Sequence, residues 1–275
     1  MAESNPLPWS PPEGEIPKID STVPHPARIY DYWLGGKDHF EADRVAAEQV
    51  IAAVPEVRHT ARENRAFLGR AVRHLVENGV TQFLDIGTGI PTQGNTHEVA
   101  QQVLPEARVA YVDNDPMVLA HARALMMSTP EGRSTYVQAD LRDPESILDH
   151  PEVRSTIDFD RPVGILLVAI LMFIKDSEDP IGLVKRITDA VPAGSYLVVS
   201  HVSQDLLGPE AVQRTLQVYN RASATMTMRT HEEITRFFDG FEIVDPGLVE
   251  VYRWRPEEEI PDRPTAVYAG VGRKR

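Results

Sequence analysis

Between residues 82 and 200 the chain alternates apolar, strand-like runs (82–86, 108–112, 135–138, 163–168 and 195–200) with helix-like segments (92–104, 116–127, 144–155 and 180–190). Few folds accept that rhythm. Strands joined through helices run parallel, the crossovers are right-handed, and helices cover both faces of the sheet. The expected fold class is therefore α/β, with ligands seated beyond the carboxyl ends of the strands. The residues that end those strands should carry the chemistry.

Two helical patterns, 41–53 and 60–78, precede the sheet; in the second, Leu68, Ala71, Val72, Leu75 and Val76 recur at helical spacing and Gly79 supplies a stop. Residues 27–40 set aromatics beside Gly35 and Gly36 and read as a loop packed on the core, either a ligand lid or a docked segment. Residues 1–26 hold seven prolines and few large apolar side chains, which predicts a flexible arm. After Ser200 the rhythm breaks. Residues 201–238 read as mostly helical, and strands are expected at 241–244, 249–254 and 266–271, the last two antiparallel at an edge. The expected organisation is an arm at 1–26, a lid with helices at 27–80, and the sheet domain at 81–275 with a helical substrate cap near 201–238.

The first strand ends in Phe83-Leu84-Asp85-Ile86-Gly87-Thr88-Gly89, a carboxylate running into a tight glycine turn. Such a turn lets a ligand approach backbone amides closely, and a dinucleotide site opens in the same way. The dinucleotide fingerprint, however, wants a third glycine where this chain has Thr92, and it has no use for Asp85. A cationic ligand does. S-adenosylmethionine carries an α-ammonium and a sulfonium, which a carboxylate at a strand end would favour. The second strand ends at Asp113-Asn114, where a carboxylate can accept from both ribose hydroxyls, while Asp115-Pro116 reads as a helix N-cap followed by proline. The third offers Asp140 to an adenine amino group and Leu141 as backbone amide and apolar face.

Asp85 with the Gly87-Thr88-Gly89 turn, Asp113, Asp140 and the later Pro192-Ala193-Gly194-Ser195 resemble, as a set over 82–200, the ordered motifs of class I methyltransferases. Arg28-Ile29-Tyr30-Asp31-Tyr32-Trp33-Leu34-Gly35-Gly36-Lys37-Asp38 is similar to the signature of an actinobacterial S-adenosyl methyltransferase family once known only as a domain of unknown function. Ala61-Arg62-Glu63-Asn64-Arg65-Ala66-Phe67-Leu68 and 85–93 extend that likeness. The resemblance implies a Rossmann-like class I methyltransferase fold, a mostly parallel seven-stranded sheet with helices on both faces and an N-terminal helical extension. It also implies S-adenosyl-L-methionine as cofactor. The expected cofactor contacts are Tyr32, Gly36, Lys37, Asp85, Ile86, Gly87, Thr88, Gly89, Asp113, Asn114, Asp140, Leu141, Ala169 and Ile170. Met172 stands where many relatives carry histidine, and Pro91 where many class I enzymes place another glycine.

Composition narrows the acceptor. A net charge of −13 repels a polyanion, and with no cysteine there is no thiolate to attack a cytosine ring. Ala169-Ile170-Leu171-Met172 also stands where base-amino methyltransferases place an Asn- or Asp-Pro-Pro-aromatic segment. A small-molecule substrate is expected, with no nucleic-acid or membrane partner, no resident metal and a cytoplasmic location. Asp176, Glu178 and Asp179 read as a solvated loop rather than a magnesium site. Methyl transfer gains mainly from positioning, and His201, just past the fifth strand, is the best placed candidate base, with Tyr219, Asn220 and His231 behind it. The alternative functions are a non-catalytic S-adenosylmethionine-binding sensor or partner protein, and a nicotinamide-dependent oxidoreductase.

Overall fold

The computed structural model describes residues 19–125, 128–258 and 263–275. The expected flexible arm falls largely outside them, as do the last two residues of the helix expected at 116–127. The chain opens with helices α1 (Pro26–Leu34), α2 (Glu41–Ala53) and α3 (Val57–Glu77). It then alternates β1 (Gln82–Ile86), α4 (Thr96–Val103), β2 (Arg108–Asp113), α5 (Pro116–Leu125), β3 (Arg133–Gln138), α6 (Pro144–Leu148), α7 (Pro151–Thr156), β4 (Gly164–Val168), α8 (Pro180–Asp189) and β5 (Tyr196–Val202). The remainder comprises α9 (Pro209–Tyr219), α10 (His231–Thr235), β6 (Phe241–Ile243), β7 (Val249–Glu250) and β8 (Val267–Lys274).

The sheet runs β3-β2-β1-β4-β5-β8-β6, parallel through its first five members and antiparallel at β8. β6 and β7 both pair with β8, at 272–274 and at 268–269, so two short strands share the seventh position. The fold is the Rossmann-like one expected. The strands expected at 249–254 and 266–271 do pair antiparallel, but β8 is interior rather than at an edge.

Alternation along the strands builds a core on each face. Leu84, Ile86, Ala110, Val112, Ile165, Leu167, Leu197 and Val199 join Ile147, Val153, Leu183 and Ile187 from α6, α7 and α8. Their neighbours Phe83, Val109, Tyr111, Leu166 and Val198 join Phe67, Leu68, Ala71, Val72 and Leu75 of α3. Full burial of each large apolar side chain stabilises by about 1.5–3 kcal/mol. The same parity sends Asp85 and Asp113 toward the face covered by α3 and α4.

Four elements depart from expectation. Residues 26–34 form a helix, because Pro26 at its first position and buried Ile29 and Trp33 one turn apart make a helical start and stripe. α4 begins at Thr96 rather than 92, since Thr92 N donates to Asn95 Oδ1 at 3.2 Å while Glu98 accepts from the Gly94 and Asn95 amides. The helix expected at 144–155 is cut in two at Pro151, whose missing N–H and ring end a helical ladder. The strand expected at 249–254 stops at Glu250: Arg70 of α3 takes the Val251 and Trp254 carbonyls at 2.9 and 2.8 Å, and fully buried Trp254 sits against Phe67 instead.

Candidate functional site

β1 delivers Asp85 into a nearly closed position, 6% exposed, where Oδ2 accepts from Thr96 Oγ1 at 2.6 Å and Oδ1 is left for another donor. Burial pushes its carboxyl up to about 6, with the Thr96 bond and the Arg65 charge opposing. In the turn that follows, Gly87 has φ +74°, and a Cβ there would stand 2.5 Å from Ile170, so Ile170 closes over the turn only because residue 87 is glycine. The Gly89 amide donates to Asp113 Oδ2 at 2.8 Å, and the Asp115 amide to Asp113 Oδ1 at 2.9 Å. Asp113 is also pushed up to about 6 by burial, against those two amide bonds. Each of its oxygens keeps one lone pair for a further donor.

The other strand ends converge on the same place. Asn114 Nδ2 donates to Asp140 Oδ2 at 2.9 Å, joining the ends of β2 and β3. Burial alone would raise the Asp140 carboxyl, but the Arg142 amide, Asn114 and the Arg142 charge hold it below the usual range. Asp115 Oδ1 caps α5 by accepting from Met117 N at 2.9 Å, as its Asp-Pro context predicts. After β4, Ala169 takes φ +55°, a strained left-handed conformation for a residue with a side chain, and its amide is held by Ser200 Oγ at 3.0 Å. Strain of that kind concentrates at ligand sites.

Over these ends lies a cavity of about 750 Å³. Asp85, Ile86, Gly87, Thr88, Gly89, Asp113, Asn114, Asp140, Leu141, Ala169 and Ile170 all line it. Among the described residues, four buried polar atoms on residues that line the cavity have no hydrogen-bond partner: Asn64 Oδ1, Arg65 Nε, Asp115 Oδ2 and Thr215 Oγ1. Native proteins rarely leave such atoms unmatched, and these four stand where a ligand would reach them. His25 lies 3.2 Å from Asp115 Oδ2 but does not satisfy it. Burial lowers the His25 ring below its ordinary value, and its Nδ1 accepts from Ala27 N at 3.3 Å.

Asn64, Arg65 and Thr215 lay outside the expected site. The signal for Asn64 was its place on the buried stripe of α3, between Ala61 and Phe67 and Leu68, where a polar side chain needs a reason. Thr215 sits likewise one turn before Val218 and Tyr219 on the buried face of α9.

Tyr32, Gly36 and Lys37 are not brought to the cavity. Because 26–34 is helical, Tyr32 faces away from Ala27, Tyr30, Asp31 and Leu34, which line it. The Tyr32 hydroxyl donates to Glu48 and its ring lies 5.1 Å from the Arg58 guanidinium carbon. Gly36 is glycine because a side chain would collide with the Asp31 carboxylate, and Lys37 is exposed. The signature around them is a set of buried fastenings. Arg28 pairs with Asp43 at 3.0 Å, and Asp31 Oδ2 receives the Asp38 amide and His39 Nδ1, each at 2.9 Å.

His201 is not a base for this cavity. It is fully buried, with Nδ1 on the Val202 carbonyl at 2.7 Å and Nε2 facing Arg229 Nη1 at 2.9 Å; burial drives it down to about 3, and it lines no part of the cavity. His231 Nε2 meets the Leu248 carbonyl at 3.0 Å, also outside the lining. Asn220 is absent from the lining too, whereas Tyr219 belongs to it. Asp176 pairs with Arg229, Glu178 with Arg142, and Asp179 caps α8. Each loop carboxylate is thus engaged by a protein donor.

A sequence profile of the S-adenosyl methyltransferase family matches residues 12–275. Among solved structures, a DUF574 family protein from Streptomyces avermitilis is 46% identical, with a TM-score of 0.90 over 94% of this chain and 100% of that one. A protein from Thermobifida fusca described as a candidate methyltransferase is 44% identical, with a TM-score of 0.85 over 98% and 100%. The plantazolicin methyltransferase BpumL, solved in complex with SAH, shares the fold at a TM-score of 0.52 and 14% identity, over 90% of this chain and 95% of its own. No functionally curated protein matches the chain significantly.

Proposed function

Because the chain belongs to the S-adenosyl methyltransferase family and is an S-adenosylmethionine-dependent methyltransferase, we propose that it methylates a small molecule held in the same cavity as the donor. The observation that carries this reading is the division of that cavity. Carboxylates line it at the ends of β1, β2 and β3, and the side chains that α2 and α9 send into it are uncharged. Its volume of about 750 Å³ lies within the range of small-ligand sites.

The residues fit the donor group by group. Asp113 has the two free lone pairs that two ribose hydroxyls need. Arg65 Nε is an unmatched donor suited to the methionine carboxylate, and Asn64 Oδ1 with Asp85 Oδ1 are acceptors suited to the ammonium. The Leu141 amide lies beside the adenine position, with Ala169 and Ile170 against the methionine arm, while Asp140 is occupied by Asn114 and Arg142 and would have to release one of them to accept from adenine. When bound, S-adenosylmethionine supplies a methyl carbon that bonds to the acceptor's lone pair as the carbon–sulfur bond breaks and its electrons stay on sulfur. The protein's part is to align the acceptor and exclude water, and any proton the acceptor releases passes to solvent. A cytoplasmic setting belongs to the same reading, supported by a cysteine-free chain; among the described residues no helix is long and apolar enough to cross a membrane.

S-adenosylmethionine and S-adenosylhomocysteine should raise the melting temperature, and NAD and NADP should not, since a ligand at a hundred times its Kd stabilises the folded state by about 2.7 kcal/mol. Scanning calorimetry decides it. A shift with NAD alone would remove the donor assignment.

Donor binding should also depend on pH in a definite direction. Asp85 and Asp113, raised to about 6, keep protons in the free folded protein that the unfolded chain has already lost. The unliganded protein therefore loses stability as pH rises from about 4 through 6. A cationic donor favours the ionised carboxylates, so its affinity should rise over the same window and level off above it. At pH 5, titration calorimetry should show binding weaker than at pH 7 by about tenfold for each carboxylate that must ionise. Equal affinity at both would mean that neither titrates with the ligand.

A further inference from the structure

The apolar part of the cavity has a polarity of its own. α2 contributes Val50 and its C-cap Val54 to it, and residues 222–228 contribute alanine, serine, threonine and methionine. The two polar side chains that α9 sends in, Thr215 and Tyr219, stand one turn apart on one face of that helix. No charged side chain comes from any of these segments. The charged groups of α1 on this side are already engaged, Arg28 by Asp43 and Asp31 by His39.

Thr215 is 4% exposed, and among the described residues its hydroxyl has no partner, not even the carbonyl a turn back that a helical threonine commonly uses. Tyr219 is 2% exposed, burial alone raises its phenol well above the ordinary value, and its ring stands 5.7 Å from that of Phe173. Met172 and Met226 complete the wall with side chains that adapt to irregular flat shapes.

Building on the donor reading above, we propose that this chamber receives an uncharged, flat, largely apolar acceptor, packed against the apolar wall that includes Phe173 and anchored through one polar group by the Thr215 and Tyr219 hydroxyls. A charged group seated between α2, α9 and residues 222–228 would meet no counter-charge from those segments, and an unpaired buried charge is strongly disfavoured. A wholly apolar one would leave the Thr215 hydroxyl unmatched, as it is in the free protein.

The test uses the full chain saturated with S-adenosylhomocysteine and titrated in a calorimeter with 2-naphthol, 2-naphthoate and naphthalene. Naphthol should bind at least tenfold more tightly than naphthoate. T215V should weaken naphthol roughly threefold to tenfold, the worth of one neutral hydrogen bond. The same variant should leave naphthalene and S-adenosylhomocysteine affinities unchanged and should not lower the melting temperature, because its hydroxyl has no partner to lose. Y219F should also weaken naphthol selectively. Naphthoate binding as tightly as naphthol, or neither binding, would overturn the proposal. So would a T215V variant that melts lower or loses S-adenosylhomocysteine affinity, since the hydroxyl would then be structural or part of the donor site. Failure of S-adenosylhomocysteine itself to bind would instead remove the donor reading, and this inference with it.

Discussion

Replacing Asp113 by alanine is expected to lower the affinity for S-adenosylmethionine by roughly a hundredfold or more, from two lost hydrogen bonds to a charged group at about 1.5–3 kcal/mol each. Asp113 does two jobs. Its oxygens hold the Gly89 and Asp115 amides at 2.8 and 2.9 Å, and their remaining lone pairs are the ones offered to ribose. The alanine variant therefore loosens the glycine turn as well as removing the acceptor. Asp113→Asn separates the two, since it preserves the side chain's shape and one acceptor oxygen. It should bind more weakly than wild type but more tightly than the alanine variant. Asp115→Ala should behave differently, costing about 0.5–2 kcal/mol of stability through the lost cap on α5. Titration calorimetry beside thermal melts of the three variants decides the assignment. Equal losses of donor affinity at 113 and 115 would mean that Asp115, whose Oδ2 also lines the cavity without a partner, shares the ribose.

The strand-end carboxylates were legible because two local patterns fix their place. Period-two apolar runs locate each strand, and the residue that ends a parallel strand must face the ligand crevice. Asp85, Asp113 and Asp140 follow from that alone, and all three line the cavity. Elements set by tertiary partners were less legible. Nothing in 249–254 announces that Arg70, far away in sequence, takes the carbonyls a strand would have used. His201 looked available from its position just past the strand expected at 195–200, yet β5 runs through it to Val202 and Arg229 closes over it from 28 residues downstream. The stretch at 27–40 misled for a different reason. Its aromatics and paired glycines have the composition of a binding loop, whereas the spacing of Ile29 and Trp33 was helical, and spacing prevailed. Asn64 and Thr215 carried a usable signal, a polar side chain on an otherwise buried helical stripe, that strand-end logic does not search for.

That helical segment leads to the second large effect. Asp43→Ala is expected to destabilise the protein by about 3–5 kcal/mol, because removing one partner of a buried ion pair strands the other charge. Asp43 is fully buried and Arg28 only 4% exposed. The Asp43 carboxylate accepts from Arg28 Nε and from the His25 and Phe40 amides, tying the start of α1 and the start of α2 to one point. Arg28 extends the knot backward by donating to the Val23 carbonyl at 2.6 Å. We propose that such a segment acts as a strap rather than a hinged lid. The cost should therefore appear in the unliganded protein, as a fall in melting temperature of roughly 2–4 °C per kcal/mol for a domain of this size. Replacing both partners by apolar residues, R28M with D43L, should recover much of the loss, since no charge is left buried alone. Hydrogen exchange supplies the independent reading: amides of 28–34 should be protected alike with and without S-adenosylhomocysteine. A lid would give the opposite pair of results, protection only with ligand and an Asp43→Ala variant that melts like wild type but binds the donor weakly. Those results together would return 26–40 to the moving parts of the enzyme.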